Sequence, residues 1–132
     1  MKFKRVKFPI HAMMLFTLII FFSCKSSKIT LTVTDCAVDD ITITEDTRVT
    51  VQPGSQWTLV TVITVKCAGQ AVNDAELKAE FWWPNGEFKS KTNDQGQIRI
   101  SKRGDGDRPT GETFTITVKG NDGEKPMTFT IQ

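Results

Sequence analysis

AELKAEFWW, residues 75 to 83, decides the fold. Ala75, Leu77, Ala79, Phe81 and Trp83 fall on one parity and Glu76, Lys78 and Glu80 on the other, a period of two rather than 3.6. The stretch therefore predicts a strand with one dry face and one wet face. Upstream, the run from Trp57 to Cys67 puts Trp57, Leu59, Ile63, Val65 and Cys67 on one side, while Val60 and Val62 make the other side apolar as well. That pattern predicts a central strand buried on both faces or nearly so. Ala68-Gly69-Gln70 separates the two runs as a short turn whose glycine accepts positive φ, so the runs are expected to neighbour each other in space. Downstream, TNDQGQIRI (92–100) supplies a third run, entered through the Asn93 to Gly96 turn.

Working outward, ITLTVT (29–34) and ITIT (41–44) alternate aliphatic residues with threonine, and RVTVQ (48–52) leads into Pro53-Gly54; these read as short edge strands. Pro84-Asn85-Gly86-Glu87 holds the Asn-Gly pair that favours a tight hairpin, returning through Phe88 to Lys91. Arg103 to Gly111 is the longest irregular segment. Thr113 to Lys119 then alternates Phe114, Ile116 and Val118 with threonine, and after Asn121-Asp122-Gly123 so do Met127, Phe129 and Ile131. About seven to nine short strands with no convincing helix indicate an all-β protein, a single antiparallel sandwich.

Val65, Lys66, Gly69, Val72, Ala75 and Leu77, followed by Thr92, Asp94, Gly96, Ile98 and Ile100, form a pattern that resembles invasin-type bacterial Ig-like domains and transthyretin-like modules related to carboxypeptidase regulatory domains. The resemblance implies an Ig-like β-sandwich over residues 29–132 and an architectural rather than catalytic motif.

Lys2, Lys4, Arg5 and Lys7 precede an apolar stretch, Ile10 to Phe22, that ends at Ser23-Cys24. A basic head and about a dozen apolar residues fit a secretory signal, whereas a spanning helix needs roughly 20. The cysteine at its end resembles the bacterial lipoprotein signal, in which Cys24 becomes the acylated N-terminus; an ordinary signal peptide cut nearby, or an uncleaved anchor, is the plain alternative. The expected organisation is then a signal peptide over 1–23, a tether over 24–28 and one domain over 29–132. The 132 residues less a 23-residue leader leave 109, with 13 basic against 15 acidic residues, so the electrostatic motive for nucleic-acid binding disappears with the leader. Five steps from Cys24 to Ile29 reach at most about 17 Å, which keeps the domain near the bilayer. Lys25 offers neither an aspartate retention signal nor an acidic export run, and the expected address is the outer membrane facing the periplasm.

Cys36 and Cys67 are the cysteines left once Cys24 is acylated, and in an exported chain they are expected to form a disulfide, the alternative being two free thiols. Their spacing is not the C-x-x-C of a redox pair. The one histidine, His11, lies in the leader, so no imidazole remains for a triad, a proton shuttle or a zinc site. Asp39, Asp40, Glu45 and Asp46 cluster near one loop and in principle supply paired carboxylates, though solvated turn acids are the simpler reading. Asp94, Asp105 and Asp107 lack the dense spacing of a calcium loop. Arg103-Gly104-Asp105 spells an integrin-type tripeptide in a flexible loop, a short match that arises easily by chance. No catalytic residue, metal or cofactor is expected.

Trp82 is the side chain of most interest. On the parity above it leaves the core and joins Glu76, Lys78 and Glu80, where an indole can serve as a stacking platform for a sugar or a protein; a neighbouring strand or lysine stem covering it is the commoner outcome. The expected function is a lipid-anchored, non-enzymatic module that binds an envelope protein or glycan or takes part in structural assembly. The alternative is an inhibitor or immunity-type lipoprotein that plugs an enzyme with the Arg103 to Gly111 loop. Trp82, Arg103, Asp105 and Asp107 are the candidate binding residues.

Overall fold

The structure, a computed structural model, describes residues 31–32 and 35–132; the signal peptide, Cys24 and the tether expected from the sequence lie outside the described residues. Its organising element is β3 (Gln56–Cys67), whose Trp57, Leu59, Thr61, Ile63, Val65 and Cys67 all point inward and are buried. Both of its edges are paired. β2 (Ile41–Gln52) runs antiparallel along one edge, from Ile41 opposite Cys67 to Gln52 opposite Gln56, joined through a turn in which Gly54 and Ser55 have positive φ. β7 (Gln97–Asp105) takes the other edge opposite Gln56 to Thr64, and β4 (Gln70–Asn73) takes its end opposite Lys66 and Cys67. The two-residue β1 (Leu31–Thr32) adds in parallel to β4.

The second sheet is antiparallel throughout, in the order β6 (Glu87–Lys91), β5 (Glu76–Phe81), β8 (Thr113–Lys119) and β9 (Glu124–Thr130). The chain changes sheets after β4, after β6 and after β7, which places β2, β3 and β7 against β6, β5, β8 and β9 in the manner of an Ig-like sandwich. One apolar cluster fills the space between the sheets, with Leu59 and Ile63 from β3, Leu77 and Ala79 from β5, and Phe114 and Ile116 from β8 among its most buried members.

Several local readings shift. β3 and β5 do not pair: Ala68 and Gly69, at φ of 46° and 83°, fold β3 back onto the short β4, and β5 lies in the opposite sheet, meeting β3 only through the core. The two runs read as Ile41–Thr44 and Arg48–Gln52 are one strand. Glu45 to Thr47 continue it, so Glu45 and Asp46 sit within β2 rather than in a loop with Asp39 and Asp40, which form a 3-10 turn. β7 starts at Gln97, because Thr92 to Gly96 serve as its turn. The outer face of β3 is half-buried at Thr58, Val60, Val62 and Thr64; its flanking strands shield it, and no further layer of the described residues covers it.

One end of the sandwich, here called the proximal end, holds the entry of the described chain and most of the clamps. Cys36 and Cys67 are disulfide-bonded across a sequence separation of 31, with Cα atoms 6.0 Å apart. The buried Thr92 hydroxyl donates to the Val72 carbonyl and accepts the Ala75 amide at 2.9 Å, tying the end of β6 to the crossover from β4 to β5. Gly96, at φ 71°, brings its backbone so close that an added Cβ would lie 2.5 Å from the Val65 carbonyl oxygen.

Replacing both Cys36 and Cys67 by serine is expected to reduce unfolding free energy by about 3 kcal/mol, since the 31-residue closure restricts the unfolded chain. Urea unfolding followed by tryptophan fluorescence measures this, and an unchanged midpoint would contradict it.

Candidate functional site

The opposite, distal end collects the β2–β3 hairpin, the β5–β6 turn and the β7–β8 loop. Here the aromatic residues concentrate. Trp57, at the start of β3, lies over Gly104 of β7, and any Cβ at position 104 would collide with the indole. Glycine thus makes the seat for a buried tryptophan.

β5 ends at Phe81, and the alternation ends with it. Asn85 takes φ 56°, the Gly86 amide donates to the Trp83 carbonyl at 2.9 Å, and the Phe81 amide donates to Gly86 at 2.9 Å. Gly86 is buried so tightly that a Cβ would stand 2.8 Å from the Phe81 and Trp83 carbonyl oxygens. In this closed turn Trp82 and Trp83 no longer alternate between faces; both are half-buried and pack on the core. This corrects the placing of Trp83 among the fully buried residues of the dry face, and for Trp82 it matches the covered alternative rather than an open platform beside Glu76, Lys78 and Glu80.

The rings form a continuous band. Trp57 and Trp82 have centroids 6.4 Å apart, Trp82 and Trp83 meet edge to face at 4.6 Å, and Trp83 reaches Phe88 at 6.4 Å. Phe81 stacks on Trp83 at 4.3 Å and on Phe114 at 4.9 Å, which joins the band to the core. The Lys102 ammonium lies 5.7 Å from the Trp83 ring centre, a cation–π contact between the two sheets. Val51, opposite Trp57 in the β2–β3 ladder, extends the band to the far edge of the first sheet. Val51 at 53% and Phe88 at 36% are the large apolar side chains left exposed among the described residues, and both belong to this end.

Arg103 and Asp105 are elsewhere. They lie within β7, opposite Thr58 and Gln56, on the outward parity and exposed, so the Arg-Gly-Asp tripeptide is a paired strand with its glycine under Trp57 rather than a flexible loop. Asp107 is exposed in the loop beyond the strand. Asp94 stands at the proximal end of the nine-residue β7, so roughly 30 Å of strand separates it from Asp105, too far to share a cation. Among the described residues no group of three or more His, Cys, Asp or Glu side chains is placed to hold a metal ion.

The charged face read from Glu76, Lys78 and Glu80 is a network across β5 and β6. Lys78 meets Glu80 at 2.9 Å and Glu87 at 3.3 Å, Lys89 meets Glu87 at 3.2 Å, and Lys91 meets Glu76 at 3.6 Å. Hydrogen bonds to Glu80 and then Glu87 hold the Lys78 pKa above the ordinary lysine value, and bonds from Lys89 and Lys78 hold Glu87 below the usual carboxylate value. A shallow hollow of about 620 Å³ over this face is lined by Glu76, Lys78, Lys89, Lys91, Thr117 and Lys119. Its cations are largely neutralised by neighbouring glutamates and exposed to screening, so the aromatic end is the better candidate.

Sequence reading missed Val51, Phe88 and Lys102 as members of the site. Val51 and Phe88 have the parity of core residues, and only the ends of β2 and β6 leave them uncovered. Comparison of the chain with protein families, curated proteins and solved structures finds no match.

Gly104→Ala is expected to destabilise the fold by about 1 to 3 kcal/mol through overpacking and to shift tryptophan emission to the red as Trp57 leaves its seat. A variant with wild-type stability and emission would contradict that seat.

Proposed function

We propose that the chain is a lipid-anchored, non-enzymatic Ig-like module of the bacterial envelope that binds a protein or glycan partner through its distal aromatic end. One observation carries the reading: the exposed Val51 and Phe88 and the half-buried Trp82 and Trp83 form one band, at the end opposite Cys36 and the entry of the described chain. Exposed apolar side chains grouped with tryptophan are what interaction sites use, since the rings are already held and lose little entropy on binding. The described chain enters at the proximal end, and the twelve-residue β3 holds the band ~40 Å from that entry. The proposed address is the outer membrane, facing the periplasm.

The inhibitor reading keeps one supporting observation. The loop after β7 is pinned, with Gly106 donating to Ser55 at 2.7 Å, Gly111 to Ile131 at 2.9 Å and the Arg108 guanidinium to the Gln132 carbonyl at 3.0 Å. An ordered loop of this kind suits insertion into a partner's cleft.

Two experiments test these proposals. Full-length chain displayed on beads against detergent-solubilised envelope and cell-wall glycan is expected to lose its partner when Trp82 and Trp83 are both changed to alanine, and to keep it when Asp107 and Arg108 are. The reverse result favours the loop, and retention by both variants overturns both sites. For the anchor, Cys24→Ser is expected to abolish incorporation of labelled palmitate and release the chain from membranes; labelling that survives the substitution overturns the lipoprotein assignment.

A further inference from the structure

A sandwich with two open sheets must protect its edges, because an unpaired strand is a template for another. Three of the long edges here carry a charge on the inward parity. On β2 it is Glu45, whose Oε2 is buried with no hydrogen-bond partner among the described residues. On β7 it is Lys102, beside Leu59 in the ladder and over Trp83. On β9 it is Lys125, which donates to the Ile41 carbonyl at 2.6 Å and the Val38 carbonyl at 3.3 Å, followed by Pro126. A strand added to any of these edges would lie alongside a charge or a missing amide.

β6 is different. Opposite Ala79 and Leu77 its inward residues are Phe88 and Ser90, and every residue of the strand is exposed. The Phe81 amide bonds to the Gly86 carbonyl and the Thr92 amide to the Ala75 carbonyl. Alternation along the ladder therefore turns the main-chain groups of Phe88 and Ser90 toward β5 and those of Glu87, Lys89 and Lys91 toward the free edge.

We propose that β6 pairs antiparallel with β6 of a second copy of this chain about a two-fold axis through Phe88. The sequence of the edge selects both the occupant and the register. Centred on Phe88, Glu87 faces Lys89 of the other copy and Lys89 faces its Glu87, so both cross-strand pairs are complementary, and the outward main-chain groups of these residues bond to each other. The two Phe88 rings meet as a close, non-hydrogen-bonded pair on the inward side. Centred one residue later, on Lys89, two ammonium groups would stand opposite each other. The outward lysines that would repel a chance strand meet glutamates in this one. The interface is isologous and closes at two copies, giving a continuous eight-stranded sheet that brings the two aromatic bands together, with Phe88 covered and Val51 left free at each outer end. The pairing shares Phe88 with the aromatic band and would cover it, but it uses none of Trp82, Trp83 or the loop, so its test stands apart from the partner reading.

The test is association of the full-length chain in mild detergent, by sedimentation and by cross-linking. Wild-type chain is expected to show a concentration-dependent dimer. Lys89→Pro removes an amide that faces away from β5, a change an edge strand tolerates, and is expected to raise the dimer dissociation constant roughly tenfold or more while leaving the thermal unfolding midpoint near that of wild type. Lys89→Glu is expected to weaken the dimer, and the exchange Glu87→Lys with Lys89→Glu to restore it. Phe88→Cys should form a covalent dimer under mild oxidation, because its two Cα atoms would stand about 4.5 Å apart. Lys91→Cys, with its two copies ~20 Å apart, should stay at the background set by unmodified chain. A monomer at all concentrations, an association indifferent to Lys89→Pro, or equal cross-linking from positions 88 and 91 would overturn the proposal.

Discussion

The contact between the Trp57 indole and the backbone of Gly104 is the constraint on which the distal half of the molecule depends. It closes β7 onto β3 at the point where a side chain at 104 would force them apart. It also puts the Trp57 ring 6.4 Å from Trp82, at the head of the band that continues through Trp83 to Phe88. An Ig-like sandwich can end in hairpins with polar tips, as this one does near Asn121 and Asp122. Here the opposite end retains apolar surface instead, and a rigid seat beneath the first ring keeps the band ordered without full burial. Ordered, half-covered tryptophan is suited to recognition because its entropy is lost in folding rather than in binding.

The two ends divide the work. At the proximal end the disulfide, the Thr92 hydroxyl and the tight passage of Gly96 past Val65 hold the crossovers between sheets. Asn121 and Asp122 bind it further, through the Cys36 carbonyl at 2.9 Å and the Val38 amide at 2.8 Å. Covalent and buried polar links of this kind compensate for a small core, since a domain of about 100 residues has little apolar surface to bury. The stiff proximal end leaves the distal end free to expose what a larger core would have covered.

Much of this was legible from the chain alone. Alternation identified β3, β5, β8 and β9 with the correct inward residues, because a strand with one buried face has only one parity open to it. The β5–β6 hairpin was expected at Asn85-Gly86, but the turn that closes it has Pro84 and Asn85 at its centre, with positive φ at Asn85 and not at Gly86, which already pairs with Phe81. Thr92 and Gly96, read as parts of an architectural pattern, prove to be a buried latch and a close backbone approach. Parity failed where strands ended: nothing in EFWWPNG shows that the turn closes at Phe81 and takes both tryptophans out of register. It failed also at Arg103 to Asp105, where two charged residues and a glycine looked like loop. Their pairing depends on Gln56 to Thr58, nearly fifty positions away, and the glycine is explained only by the ring above it. The disulfide was inferred from compartment, while the geometry that permits it belongs to the folded chain.

The inward charges on β2, β7 and β9 belong to the same account, since a molecule that keeps one apolar end exposed must close the other routes to association. The distal end is the proposed place of contact with partners. Photo-crosslinking in living cells measures this most directly, with a photoreactive residue placed at Val51 in the band or at Asp122 at the other end. The account predicts adducts from position 51 and none from position 122; adducts from 122 alone would contradict it.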